Sequence, residues 1–263
     1  MVSDASSAQP NAAAAAAAPG RPLLVTHGLS CRFGGVLALD QVDLGIASGE
    51  LLGIIGPNGA GKSTLFNVIT GHVRPTSGRL TFQGQDITGM SPYRVARAGI
   101  VRKYQVPTVF RNLSLRQNLA VAANGRSSLL ALLGRPADTR EKIAQLLDLL
   151  HLSHRADDEA GTLSHGERQW LEIGMVLAND PQLLLLDEPT AGMTTRETRE
   201  TEALLKDLAT GHTVAVIEHD IRFIREVARR VIVMHRGRIL ADGVIGDIER
   251  NETVRDVYLG RSA

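Results

Sequence analysis

The 263 residues carry 29 Lys and Arg against 28 Asp and Glu, a formal net charge of +1, and 3% of them are aromatic. Near-neutrality removes the electrostatic case for a nucleic-acid partner, and the scarcity of aromatic rings removes a stacking platform for single strands. One cysteine, Cys31, excludes an internal disulfide and fits a reducing compartment. No apolar run approaches the ~20 residues that cross a bilayer, so any membrane role is expected to be peripheral.

Residues 1–20, MVSDASSAQPNAAAAAAAPG, read as a disordered low-complexity tail. The alanine run follows Asp4 rather than a basic flank, which makes a poor signal peptide, and Pro19-Gly20 leaves so short a helix marginal. From Leu23 to about Ile46, β-type residues interleaved with turn signals predict short strands. LLGIIG, Leu51 to Gly56, is a compact apolar strand, followed by a glycine-rich loop and the helix STLFNVITGH. GRLTFQGQDI predicts a hairpin, and AGIVRKYQ a short strand ending near Gln105. Between about 112 and 160 the spacing becomes helical, as in Ile143, Leu146, Leu147, Leu149 and Leu150. A helix after Gly166, the strand QLLLLDEP, the helix RETRETEALLKDLATG, the strand HTVAVIEHD, the helix IRFIREVARR and a closing hairpin in VIVMHRGRIL complete the chain. Alternating βα units with continuous apolar strands predict an α/β fold around a mainly parallel buried sheet, interrupted by a helical block.

GPNGAGKST fits GxxxxGK[ST] and lies between a strand and a helix, the context that gives the motif its meaning. The loop of Gly56, Pro57, Asn58, Gly59, Ala60 and Gly61 can curl its backbone N–H groups, which Pro57 lacks, around phosphate oxygens. Lys62 brings a charge to the β and γ phosphates, Ser63 a hydroxyl to Mg²⁺, and Thr64 a contact to the α phosphate. LLLLDEP ends a strand in two acids: Asp187 is placed to hold Mg²⁺ and Glu188 to deprotonate an attacking water. In LSHGERQWLEIG, Ser164 and Glu167 have capping-box spacing, and a helix start is also an anion site.

The order GPNGAGKST, Gln105, LSHGE, LLLLDEP, VIEHD resembles the ATP-binding cassette ATPases from about Leu23 onward. The resemblance implies a P-loop nucleotide-binding domain over 21–263. Its parts would be an N-terminal antiparallel β subdomain, an inserted helical subdomain at about 112–160 and a C-terminal extension at about 240–263. It implies ATP and Mg²⁺ as cofactors, with Ser63, Gln105 and Asp187 around the metal and Glu188, Gln105 and His219 catalytic. Phe33 falls where a ring stacks on adenine. Ser164, His165, Gly166 and Glu167 would face the γ phosphate bound in a partner subunit. Two departures stand out: the signature reads LSHGE instead of LSGGQ, and Thr194 stands where the loop after the catalytic acid usually has aspartate. The second puts communication through that loop in doubt.

AGM after DEPT, the short helical block and VYLGR resemble the branched-chain amino-acid type of importer, and RKYQVPTVFRNLS with LSHGERQWLEIG looks closest to its urea-transporting members. The implied partners are membrane permease subunits, a second ATP-binding subunit that is a paralogue, and, indirectly, an external substrate-binding protein. The implied location is peripheral, at the cytoplasmic face of the inner or plasma membrane. Val106, Pro107, Val109 and Phe110 are expected to form the apolar surface that meets the permease. Urea or a short-chain amide is the expected cargo. The alternatives are branched-chain amino acids, a lipid exported by a related ATPase, and a soluble non-transport cassette protein, which a single cassette without a coiled-coil insertion disfavours.

Overall fold

The computed structural model describes residues 22–103, 109–124 and 136–259. The tail expected over 1–20, Gln105, the Val106-Pro107 pair and the last residues of VYLGR lie outside them.

Two layers of sheet organise the chain. β1 (Pro22–Phe33) and β2 (Val36–Ala47) form a long antiparallel hairpin, and β4 (Ser77–Phe82) and β5 (Gln85–Asp86) extend it in the order β2-β1-β4-β5. Where short strands were expected between Leu23 and Ile46, there are two strands of 12 residues each. Register shifts at four points along the hairpin absorb the turn-like residues without ending either strand. The second sheet has the order β10-β9-β3-β8-β7-β6, from β3 (Leu51–Ile55), β6 (Ile100–Lys103), β7 (Leu183–Asp187), β8 (Thr213–Ile217), β9 (Arg230–His235) and β10 (Arg238–Val244). Its pairings are parallel except for β10, which returns antiparallel against β9 as an edge.

The apolar strands are continuous because both faces of this sheet are covered. Leu183 and Leu185 of β7 enter one core while Leu184 and Leu186 enter the other. β8 divides the same way, with Val214 and Val216 on one face and Ala215 and Ile217 on the opposite one. The first core packs against α1 (Lys62–Ile69), α2 (Pro92–Ala98) and the antiparallel sheet. The second packs against α3 (Leu115–Asn124), α4 (Pro136–Leu149), α5 (His165–Leu177), α6 (Thr195–Leu208) and α7 (Ile221–Val227). α2, α8 (Ile245–Arg250) and α9 (Glu252–Leu259) were not anticipated from the sequence; α2 is announced by Ser91-Pro92, with proline in its first turn.

The helical block around α3 and α4 is stitched where it leaves and rejoins the sheet. Leu115 N–H donates to the Asp158 carbonyl at 3.1 Å, Ala160 N–H to Leu113 at 3.0 Å and Gly161 N–H to Arg111 at 2.8 Å. Asn118, fully buried, accepts from Phe110 N–H at 2.8 Å and donates back to the Phe110 carbonyl at 3.0 Å. That fixes the backbone at Phe110 while its ring stays half exposed; Val109 packs against the core. Of the apolar surface expected over 106–110, Phe110 alone among the described residues is presented to solvent. Among the described residues no helix is long and apolar enough to cross a membrane.

Candidate functional site

A cleft of about 520 Å³ opens at the end of β3, lined by Val36, Leu37 and Ala38 of β2, by Asn58 to Thr64, and by Glu188, His219 and Arg236. Its floor is the start of α1. Gly61 at the helix N-cap has φ +104°, and a Cβ there would meet the Ala38 carbonyl at 2.6 Å, so the loop needs glycine both for its conformation and for its close approach to β2. No side chain caps α1 and no acid stands in its first turn. The N–H groups of that turn are therefore left for an anion.

Lys62 lies over this turn, 6% exposed. Its Nζ donates to the Gly56 carbonyl at 2.6 Å and the Pro57 carbonyl at 3.0 Å. Burial pushes its pKa below the ordinary lysine value, with the Glu188 and Asp187 carboxylates opposing that shift. A buried cation whose hydrogen-bond partners are neutral carbonyls, above uncapped amides, fits a bound polyphosphate.

Glu188 follows β7 at φ +49°, a left-handed conformation that costs a non-glycine residue about 1–3 kcal/mol and is met mostly at functional sites. Its N–H donates to the Ile217 carbonyl at 2.9 Å, which continues the parallel ladder past Asp187. Its Oε1 lies 2.6 Å from His219 Nε2, with the two side chains 32% and 42% exposed, so water reaches both. His219 is steadied by Glu218, which is buried: Glu218 Oε2 accepts from His219 N–H at 3.1 Å, and Oε1 from Thr190 N–H at 3.0 Å and Thr190 Oγ1 at 2.5 Å. Asp187 turns aside to Arg102, whose guanidinium also donates to Asn67 Oδ1 at 2.6 Å and lies 5.6 Å from the Phe66 ring centroid. Ser63 is exposed at the same helix start, one residue past Lys62.

The structure thus gathers Asn58, Gly59, Ala60, Gly61, Lys62, Ser63, Thr64, Glu188 and His219 around one cleft, with Gly56 and Pro57 held to it through Lys62. Phe33 pairs with Val36 at the tip of the hairpin, its ring half exposed; Val36 lines the cleft, Phe33 does not. Ser164 to Glu167 are elsewhere. They open α5 beside a second cleft of about 520 Å³, where Ser164 and Glu167 meet Trp170, Thr194 and Glu197.

The capping box there is complete. Ser164 Oγ accepts from Glu167 N–H at 3.2 Å, and Glu167 Oε2 accepts from Ser164 N–H at 2.8 Å. Burial raises the Glu167 pKa, but the Ser164 N–H and the Arg155 guanidinium outweigh it and hold the carboxyl below its usual value. His165, the departure from the usual glycine, is engaged: its Nε2 lies 3.0 Å from the Ala191 carbonyl and 3.2 Å from Gln169 Nε2. Thr194, the second departure, caps α6 by accepting from Glu197 N–H at 3.3 Å, a role open to aspartate as well. A buried ion pair, Lys103 Nζ to Glu172 Oε2 at 3.1 Å, joins the end of β6 to α5. Sequence reasoning singled out none of Arg102, Lys103, Glu172, Glu197, Glu218 or Arg236. For Lys103, Glu172 and Glu218 the available signal was a charge inside an otherwise apolar strand or helix face.

A family model described as ABC transporter matches residues 39–191. The high-affinity branched-chain amino acid transport ATP-binding protein BraF of Pseudomonas aeruginosa is 37% identical over 253 residues, covering 92% of this chain and 99% of that protein. The lipopolysaccharide export system ATP-binding protein LptB of Acidithiobacillus ferridurans is 37% identical over 221 residues, covering 84% of this chain and 89% of its own length. Among solved structures, the ADP conformation of MJ1267, an ATP-binding cassette of an ABC transporter, superposes with a TM-score of 0.81 at 33% identity, over 92% of this chain and 100% of that one. Cleft, fold and relatives agree: the chain belongs to the ABC transporter family and is an ATP-hydrolysing cassette subunit of the kind that dimerises and works with membrane permease subunits.

Proposed function

We propose that this chain energises an importer of the branched-chain amino acid type by binding and hydrolysing ATP in the cleft over α1. The convergence of Lys62, Glu188 and His219 on that cleft is the observation that supports the site. Lys62 neutralises the β and γ phosphates, and the uncapped amides of the loop orient them. Mg²⁺, when bound by Ser63 and Asp187 with Gln105, supplies charge neutralisation on the phosphate oxygens. Glu188 accepts the proton of the attacking water, which is why it is placed within reach of solvent. His219, hydrogen-bonded to Glu188, holds that carboxylate in position and senses the γ phosphate. Val36 and Leu37, with Phe33 at the rim, form the apolar side that receives adenine. Ser164, His165, Gly166 and Glu167 serve the nucleotide of a partner ATPase subunit. The chain sits peripherally at the cytoplasmic face of the membrane, holding the permease through the surface that includes Phe110, with an external binding protein delivering cargo.

The likeness to BraF, a branched-chain amino acid transport ATP-binding protein, favours a branched-chain amino acid as cargo over the urea expected from RKYQVPTVF and LSHGERQWLEIG. Urea stays as the second reading on the resemblance of RKYQVPTVF and LSHGERQWLEIG alone. Uptake of labelled leucine and labelled urea in cells lacking this gene separates them. Lost leucine uptake with normal urea uptake is expected; the reverse would return the cargo to urea.

A further inference from the structure

We propose that Glu197 is a positioning residue of the α5 half-site: its carboxylate stands in for the partner nucleotide's γ phosphate on Ser164 and Gly166, and yields to it on closure. This rests on the reading that the start of α5 serves the partner subunit's ATP.

Glu197 is the third residue of α6, and one oxygen suffices for its own helix. Oε2 accepts from Thr194 N–H at 2.9 Å and from Thr194 Oγ1 at 2.8 Å, completing the α6 capping box. Oε1 reaches across to a different helix, accepting from Ser164 Oγ at 2.9 Å and from Gly166 N–H at 3.0 Å. Those are two donors at the start of α5 that an incoming anion would meet. Glu167 N–H is already given to Ser164 Oγ, and Ser164 N–H to Glu167 Oε2. A Cβ on Gly166 would lie 2.7 Å from the Glu197 carboxylate, so the bare glycine is what admits an oxyanion to its N–H. The four hydrogen bonds, led by the Thr194 N–H, hold the Glu197 pKa at about 2, and the group is an anion at any physiological pH.

A phosphate arriving at Ser164 Oγ and Gly166 N–H meets a carboxylate on the same two donors, and like charges at one site repel. Only one can stay. The exchange needs no repacking of the core, because Ser164 is exposed and Glu197 half-buried at the mouth of the second cleft. Until then the carboxylate keeps the donors aimed and satisfies the helix dipole. On leaving, Glu197 remains tethered to Thr194, in the loop whose Ala191 carbonyl His165 also holds. Closure on the partner's ATP is thereby felt in the segment that follows Glu188.

The test uses the transporter purified with its own partner subunits and carrying Glu188→Gln to suppress hydrolysis. The readout is the ATP concentration at which half the complexes retain labelled ATP through rapid gel filtration. Adding Glu197→Gln keeps a hydrogen-bond acceptor of the same shape and removes the competing charge. Half-maximal retention is expected at about tenfold lower ATP, the scale of one charge-assisted hydrogen bond. Simple damage to α6 would raise that concentration; an unchanged or raised value overturns the proposal. Adding Ser164→Ala instead should raise it. If Ser164→Ala has no effect, the reading of α5 as the partner's half-site fails; if Ser164→Ala raises it while Glu197→Gln does not lower it, only the Glu197 proposal fails.

Discussion

In the proposed function two helix starts meet phosphate, those of α1 and α5, and they are finished in opposite ways. α1 begins without a side-chain cap and without an acid in its first turn, under a buried lysine. α5 begins with a complete capping box and with a carboxylate from α6 already on the Gly166 N–H and the Ser164 hydroxyl. The difference follows from what each meets. A site that binds nucleotide in the isolated chain can keep its donors open, because the loop carbonyls at Gly56 and Pro57 hold the cation meanwhile. A site that meets phosphate only when a second subunit closes spends the rest of its time facing water, and its donors are occupied by groups from its own chain. The first is an open cradle and the second a stoppered one.

The largest effect expected is on the open side. Glu188→Gln keeps the shape of the side chain and removes the proposed base, so phosphate release should fall by ~10²–10⁴ while ATP binding persists. Near-normal turnover in a phosphate-release assay would remove Glu188 from the mechanism and leave the cleft a binding site only.

The seam between the two sides carries the next. Lys103 and Glu172 are both buried, and Lys103→Met strands the Glu172 carboxylate, a change that typically costs about 3–5 kcal/mol. Urea denaturation should show that loss, and the double variant Lys103→Met with Glu172→Leu should recover most of it. A single variant as stable as the parent would mean that α5 is not held to β6 through this pair.

The smallest effect is in acid. The Glu197 pKa is lowered from 4.5 to about 2 by hydrogen bonds in the folded chain. A depressed carboxylate stabilises the fold above its unfolded pKa, and that contribution is lost as pH falls from about 4.5 towards 2. Trp170 is the single tryptophan, and its Nε1 donates to Thr201 Oγ1 at 2.8 Å, one turn along α6 from Glu197. Its fluorescence should therefore report loosening of the α5–α6 seam in that window, and Glu197→Gln should flatten the response. An identical acid response in parent and variant would show that the carboxylate does not hold the seam.

What the sequence disclosed divides by distance along the chain rather than by site. β7 and β8 were legible because burial on both faces leaves an unbroken apolar run, and the phosphate loop because Gly56 to Thr64 are consecutive in the chain. The hairpin of β1 and β2 was misjudged as short strands because bulges look like turns in one dimension. The contacts that hold the groups of both sites in place were hidden because their partners are far apart in sequence: Arg102 with Asp187, Glu197 with Ser164, and Glu218 with Thr190 are separated by 85, 33 and 28 residues. The capping box at Ser164 was visible; the carboxylate that stoppers it was not. Thr194 looked like a defect when set against aspartate, and the structure gives it the same capping task.

Calorimetric titration of ATP into the isolated chain puts the contrast between the two helix starts to its most direct test, with Lys62→Ala and Ser164→Ala compared side by side. The account predicts that Lys62→Ala abolishes measurable binding, because the charge over the open cradle is gone. It predicts that Ser164→Ala binds ATP as the parent does, because Ser164 serves a nucleotide held by another subunit. Loss of affinity in Ser164→Ala equal to that in Lys62→Ala would contradict it, and would place both helix starts on the same nucleotide.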